Sequence, residues 1–176
     1  MALRPAPATK LPRLEPGDRM TVEEFDRAYE LRSDIHKAEL VQGVVYVLSP
    51  VRIKEHSRPH LLLATWLGNY SVMHPGVEGG DDGSTRLSDV DKVQPDVMLW
   101  YEEGGNARIG PDQHLHGAPE LVVEITASTK SYDLGVKKEA YRRAGVQEYV
   151  VWRTEEHAID WFVLREGQYA LLAADN

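Results

Sequence analysis

The 176-residue sequence contains no cysteine. Disulfides, thiolate nucleophiles and cysteine-ligated zinc are therefore excluded, and any bound metal must sit on oxygen or imidazole. No apolar run approaches the ~20 residues that a membrane-spanning helix needs. The proline-rich first residues lack the apolar stretch of a secretory signal. Together with the missing cysteine, this predicts a cytoplasmic protein. Positive charge is in deficit: 28 Asp and Glu stand against 20 Lys and Arg, a formal net charge of −8. That excludes the uniformly basic surface of nonspecific nucleic-acid binders, so such a role calls for a local positive patch or a bound cation. What remains is a globular composition, 42% hydrophobic and 27% charged, at a length suited to one domain with a substantial core.

Residues 1–20, with prolines at 5, 7, 12 and 16, read as a flexible arm, and 21–176 as a single domain. Thr21-Val-Glu-Glu24 is a capping box that opens a helix to about Leu31. Residues 37–49 form a hairpin hinged at Gln42-Gly43. Leu62, Leu63, Trp66, Leu67 and Tyr70 recur at helical spacing and predict a helix over 55–73, with Pro59 tolerated in its first turn. The Gly- and Asp-rich segment 76–83 predicts a loop. Strands follow over 84–87, 96–101 and 121–126, then a helix over 133–144 closed by Gly145 as a left-handed cap. Three strands, 148–152, 159–164 and 169–172, finish the chain. This order predicts a mixed α/β domain built on a central sheet.

Function shows where a residue contradicts its own pattern. Glu124 lies inside Leu-Val-Val-Glu-Ile-Thr, where an unpaired carboxylate in an apolar strand costs several kcal/mol, about the scale of buried-charge desolvation. It is either a structural ion pair or part of a site. Lys137 falls on the apolar arc of its helix with Leu134, Val136, Ala140, Tyr141 and Ala144, so it either snorkels to solvent or points at the sheet, where Glu124 is the partner. Asp96, after Pro95, is the carboxylate that opens the strand Val-Met-Leu-Trp. Glu39, in Ala-Glu-Leu-Val, reads by itself as a solvent-facing strand residue. Three acids and an amine suit Mg²⁺ or Mn²⁺ and the activation of a water against a phosphoryl group.

The run Glu39-Leu-Val-Gln-Gly43, then Pro95-Asp96, then Leu121-Val-Val-Glu-Ile125 resembles the PD-(D/E)XK nuclease superfamily. Tyr132-Asp133, Lys137 and Tyr141, followed by Ala144-Gly-Val-Gln-Glu-Tyr149, make it similar to the restriction endonuclease-like proteins of the Uma-two family. The resemblance implies a restriction endonuclease-like fold, a central mixed sheet flanked by helices. It implies a metal-dependent DNA endonuclease, with metal on Asp96 and Glu124, Glu39 assisting, and Lys137 as the lysine that the superfamily usually carries two residues after the second acid. That position here is Thr126. Where the family commonly continues Trp-x-x-Asp, this sequence reads Val150-Val-Trp-Arg153. The histidine near the start of the long helix, His56, receives no role.

Two other readings compete. His56 and His60 have the spacing of zinc ligands on a helix, but Pro59 lies between them and Ser57 replaces the glutamate of a His-Glu-x-x-His hydrolase, which argues against that class. A nuclease fold kept as an inactive binding or assembly module fits the acidic charge. The aromatic residues Trp161, Phe162 and Tyr169 suit either the core or a homodimer interface. Candidate DNA contacts are Arg52, Lys54 and Arg58, with Lys130, Lys138, Arg142 and Arg143.

Overall fold

A computed structural model describes residues 13–127 and 129–173. Residues 1–12 of the expected arm lie outside the described residues, and the remainder, 13–20, is seated on the fold. Leu14 is buried, Met20 N–H donates to Gly43 O, and Val45 N–H donates to Asp18 O. Thr21 and Glu24 close the capping box of α1 (Val22–Glu30), each side chain accepting the other's backbone N–H. Helix α1 lays Val22, Phe25 and Ala28 on Leu40 and Val45, a small core of its own.

The strands form two sheets. One joins short strands in the order β2-β1-β5-β4-β8-β7: β1 (Ala38–Val41), β2 (Val44–Val47), β4 (Thr85–Arg86), β5 (Lys92–Val93), β7 (Arg108–Ile109) and β8 (Leu115–His116). The central mixed sheet runs β12-β11-β10-β9-β6-β3: β3 (Val77–Asp81), β6 (Val97–Tyr101), β9 (Leu121–Thr126), β10 (Glu148–Arg153), β11 (Ala158–Arg165) and β12 (Gln168–Leu171). Within it β9 and β10 are parallel and the other neighbours antiparallel. The predicted hairpin is thus β1–β2, but it belongs to the smaller sheet. The expected loop 76–83 contains β3, an edge strand whose Gly79 and Gly80 lie under Leu99, Met98 and Trp100 with little room for a side chain.

The long helix starts with a wide turn, Ile53–Ser57, and continues as α2 (Arg58–Met73). Pro59 has no N–H for the carbonyl of Glu55, and the Thr154 hydroxyl donates to that carbonyl instead, at 2.7 Å. The apolar stripe predicts the element but not its buried face. Leu63 and Leu67 pack on the sheet, whereas Leu62, Trp66 and Tyr70 are exposed. After β9 the chain makes a short turn of helix, α3 (Lys130–Tyr132). A second wide turn, Asp133–Lys137, follows, irregular at Gly135, and then α4 (Lys138–Ala144). Gly145 is the left-handed cap, its N–H donating to Tyr141 O and Arg142 O. Among the described residues no helix is long and apolar enough to cross a membrane.

Candidate active site

Strand β9 is buried on both faces. Val123 and Ile125 pack toward α2, while Val122 packs toward Ala140 and Tyr141 of α4. Alternation puts Glu124 on the Val122 face, aimed at the helix that carries Lys137. Antiparallel pairing of Val97 with Val123 sets Asp96, one residue before β6, across from Glu124. The Ile125 N–H donates to Asp96 Oδ2 at 2.8 Å, which fixes the carboxylate against the neighbouring strand. Both acids are buried.

Lys137 points at the sheet and does not snorkel. Its side chain is 2% exposed, and Nζ lies 2.8 Å from both Glu39 Oε1 and Glu124 Oε1. Glu39 is not a solvent-facing residue: it is fully buried. Gln94 N–H donates to its Oε1 at 2.7 Å, and the Tyr132 hydroxyl donates to its Oε2 at 2.8 Å. The Tyr141 hydroxyl donates to Glu124 Oε1 at 2.7 Å. Every charge in this triad has a charged partner and added hydrogen bonds, the condition under which buried ions are tolerated.

The electrostatics separate the acids. Burial pushes the Asp96 carboxyl up, but the His56 contact and the Lys37 ammonium outweigh it and hold it well below the usual carboxylate range. Burial pushes Glu124 up to about 8, with Lys137 pulling against it and Asp96 adding repulsion. Burial pulls Lys137 down, yet the charges of Glu124 and Glu39 prevail and raise it well above its ordinary value. Asp96 is therefore a fixed anion and Lys137 a fixed cation, while Glu124 is a carboxyl poised near neutrality.

Asp96, Glu124 and Lys137 line a cleft of about 430 Å³, with Lys37, His56 and Tyr132 among its other walls. Glu39 sits behind Lys137. Several participants are residues to which sequence reasoning assigns no role. Lys37 Nζ lies 2.8 Å from Asp82 Oδ1 and 3.3 Å from Asp96 Oδ1, and His56 Nε2 lies 3.2 Å from Asp96 Oδ2. The two tyrosines carried only a pattern signal, and Lys37 carried none. Among the described residues, the groups of three whose ligating atoms all approach within 4.8 Å are His56–His60–Asp96 and His60–Asp81–Asp82. Glu39 and Glu124 belong to neither.

No curated protein matches this chain. Its fold is similar to the crystal structure of a putative nuclease belonging to DUF820 from Anabaena variabilis, with a TM-score of 0.64, 12% identity, and 86% of this chain and 83% of that chain covered. The Uma2 family, described as "Putative restriction endonuclease", matches residues 22–176. That match takes in α1, both sheets and all of the Lys137 centre, and the chain belongs to the Uma2 family.

Proposed function

We propose that this protein hydrolyses DNA phosphodiester bonds with a divalent ion, Mg²⁺ or Mn²⁺, held by Asp96 and Glu124. The observation that carries the reading is the Lys137 ammonium, buried between two carboxylates on the wall of a cleft that Asp96 and Glu124 also line. The donor set fits a hard ion. Asp96 is held ionised, and both partners of Glu124 fall on Oε1, not Oε2. When bound, such an ion supplies activation of a water and neutralisation of charge on a phosphoryl oxygen.

The chain's own residues do the rest. Lys137 keeps its proton, so it acts as a hydrogen-bond donor that orients the attacking water or the crowded phosphoryl oxygens, and not as the base. Glu39 has both oxygens engaged by Lys137, Gln94 and Tyr132, so its place in the proposal is to position Lys137 and not to assist the metal. For the DNA backbone, Arg52, Lys54 and Arg58 are exposed and have no ion pair among the described residues. Lys130, Arg142 and Arg143 pair with Glu156, Glu139 and Asp91, and Lys138 lies over the Phe162 ring.

Supercoiled plasmid incubated with the protein and Mn²⁺ tests the reading. Wild type should nick or linearise it, EDTA should stop the reaction, and Asp96→Asn and Lys137→Ala should each lower the rate by about 10²–10³-fold. Intact plasmid under every divalent ion, or equal cutting by Asp96→Asn, rejects the enzyme and leaves a binding module of nuclease fold. Homodimer formation belongs to the same proposal, but Trp161, Phe162 and Tyr169 pack in the core, so it rests on α2, where Leu62, Trp66 and Val72 are exposed. Light scattering should give twice the 19.8 kDa chain mass, and a monomer at tens of micromolar would remove that part.

A further inference from the structure

A second convergence of ligating side chains lies on the α2 side of Asp96. His56 and His60 bring imidazole nitrogens within 4.8 Å of each other and of an Asp96 oxygen. The spacings match ligands sharing one ion. Bonds of 2.0–2.1 Å in a tetrahedral arrangement keep ligand atoms about 3.4 Å apart. Here His56 Nε2 is 3.2 Å from Asp96 Oδ2 and His60 Nε2 is 3.8 Å from Asp81 Oδ2, while His60 Nδ1, on the other side of the ring, lies 3.8 Å from Asp82 Oδ2 as an outer partner. Lys37 occupies the Oδ1 atoms of Asp82 and Asp96, so the histidines meet the Oδ2 atoms, of which that of Asp96 also accepts the Ile125 N–H.

An independent observation points to a ligand. His56 Nδ1 and His60 Nε2 are buried with no hydrogen-bond partner among the described residues, a state that native interiors rarely leave unexplained. A metal-bound imidazole commonly has one nitrogen on the ion and the other on a carboxylate, which is the surrounding of His60, whose Nε2 is unpartnered and whose Nδ1 faces Asp82. The donors also select the ion. Two imidazoles with a carboxylate favour first-row transition metals, whereas Mg²⁺ prefers oxygen alone. Asp81 and Asp82 are exposed and give the ion a path from solvent.

We propose that His56, His60 and Asp96, flanked by Asp81 and Asp82, bind a divalent transition metal of the Zn²⁺ class. The site meets the Lys137 centre at Asp96 but does not depend on nuclease activity, and its test does not use DNA. Co²⁺ serves as the visible probe for Zn²⁺, titrated into the full chain. Ligand-field bands should grow to one equivalent and be displaced by Zn²⁺, and a thousandfold excess of Mg²⁺ should leave them unchanged. His60→Ala should weaken Co²⁺ binding by at least about 100-fold, more than the usual loss for an outer-shell partner. Glu124→Gln should change it less than about threefold. Zn²⁺ at ~100 times its Kd should raise Tm by about 5–10 °C in wild type and Glu124→Gln but not in His60→Ala. If circular dichroism finds His60→Ala unfolded, His60→Gln takes its place. Wild type that binds no Co²⁺, binding that survives loss of His60, displacement by equimolar Mg²⁺, or loss in Glu124→Gln with retention in the His60 variant each overturns the site.

Discussion

Lys137→Met should lose about 3–5 kcal/mol of stability, the range for breaking a buried ion pair by removing one partner. Methionine nearly matches the shape of the lysine stem and packs in its place, so the loss is electrostatic and not a cavity effect. It leaves Glu39 with Gln94 N–H and Tyr132, and Glu124 with Tyr141, but takes the shared cation from two carboxylates that are almost wholly inaccessible to water. Glu124, which burial already raises to about 8, loses the ammonium that pulls against that rise, so its folded pKa climbs further. A raised acid pKa gives stability that is full below the unfolded value and lost as pH climbs toward the folded one. The deficit should therefore widen above about pH 8, where wild type ionises Glu124 beside the ammonium and the variant keeps it protonated. Urea unfolding at a series of pH values measures it, and Lys137→Met/Glu39→Gln should recover part of the loss at pH 7. A deficit under ~1 kcal/mol at pH 7 would mean that the lysine does not neutralise the triad.

The parts of this centre legible in sequence were those that obey a local period. The apolar run of β9 makes Glu124 an intruder, and the helical arc does the same for Lys137. The wide turn at Asp133–Lys137 was not legible, because it depends on Gly135 and on tertiary contacts such as the Tyr149 hydroxyl donating to Asp133 O. Glu39 illustrates the opposite limit. Four-residue β1 is buried throughout, so its alternation carries no inside and outside, and base rates for glutamate pointed the wrong way. Segment 76–83 reads as loop by propensity. It is held as β3 by pairing with β6 over five residues, an edge where glycine serves close packing and not a turn. Pro59 argues against the zinc spacing of His56 and His60, but it sits in the first turn of α2 and the Thr154 hydroxyl takes over the Glu55 carbonyl. The spacing thus survives, although the hydrolase motif does not. Lys37 stands just before β1 and reaches Asp82 and Asp96 only through the joining of the two sheets, which no local pattern encodes.

Glu124→Gln should separate activity from stability. Glutamine keeps an oxygen that accepts from Tyr141 and Lys137, so the fold and the position of the ammonium are preserved. It removes the negative charge that the proposed ion needs. If that charge supplies about 3–4 kcal/mol of transition-state stabilisation, plasmid cleavage falls by about 10²–10³-fold. Stability should move the other way. Burial raises the Glu124 carboxyl to about 8 in the folded protein, whereas the unfolded chain ionises near ~4.3. Its contribution is full below the unfolded value and lost as pH rises through the folded one, so wild type in EDTA pays for Glu124 across about pH 4–8. The amide does not titrate. The stability of Glu124→Gln relative to wild type should therefore climb over that window and level off above it, reaching parity or better at pH 8. Metal-free unfolding curves at pH 5, 6.5 and 8 check the slope, and the plasmid assay checks the loss. Cleavage within tenfold of wild type would remove Glu124 from the chemistry, and a variant that weakens as pH rises would mean its carboxylate stabilises the fold as an ion. The expected pair of results, activity gone and fold unharmed, is the mark of a carboxylate kept in a costly place for a charge it has to meet.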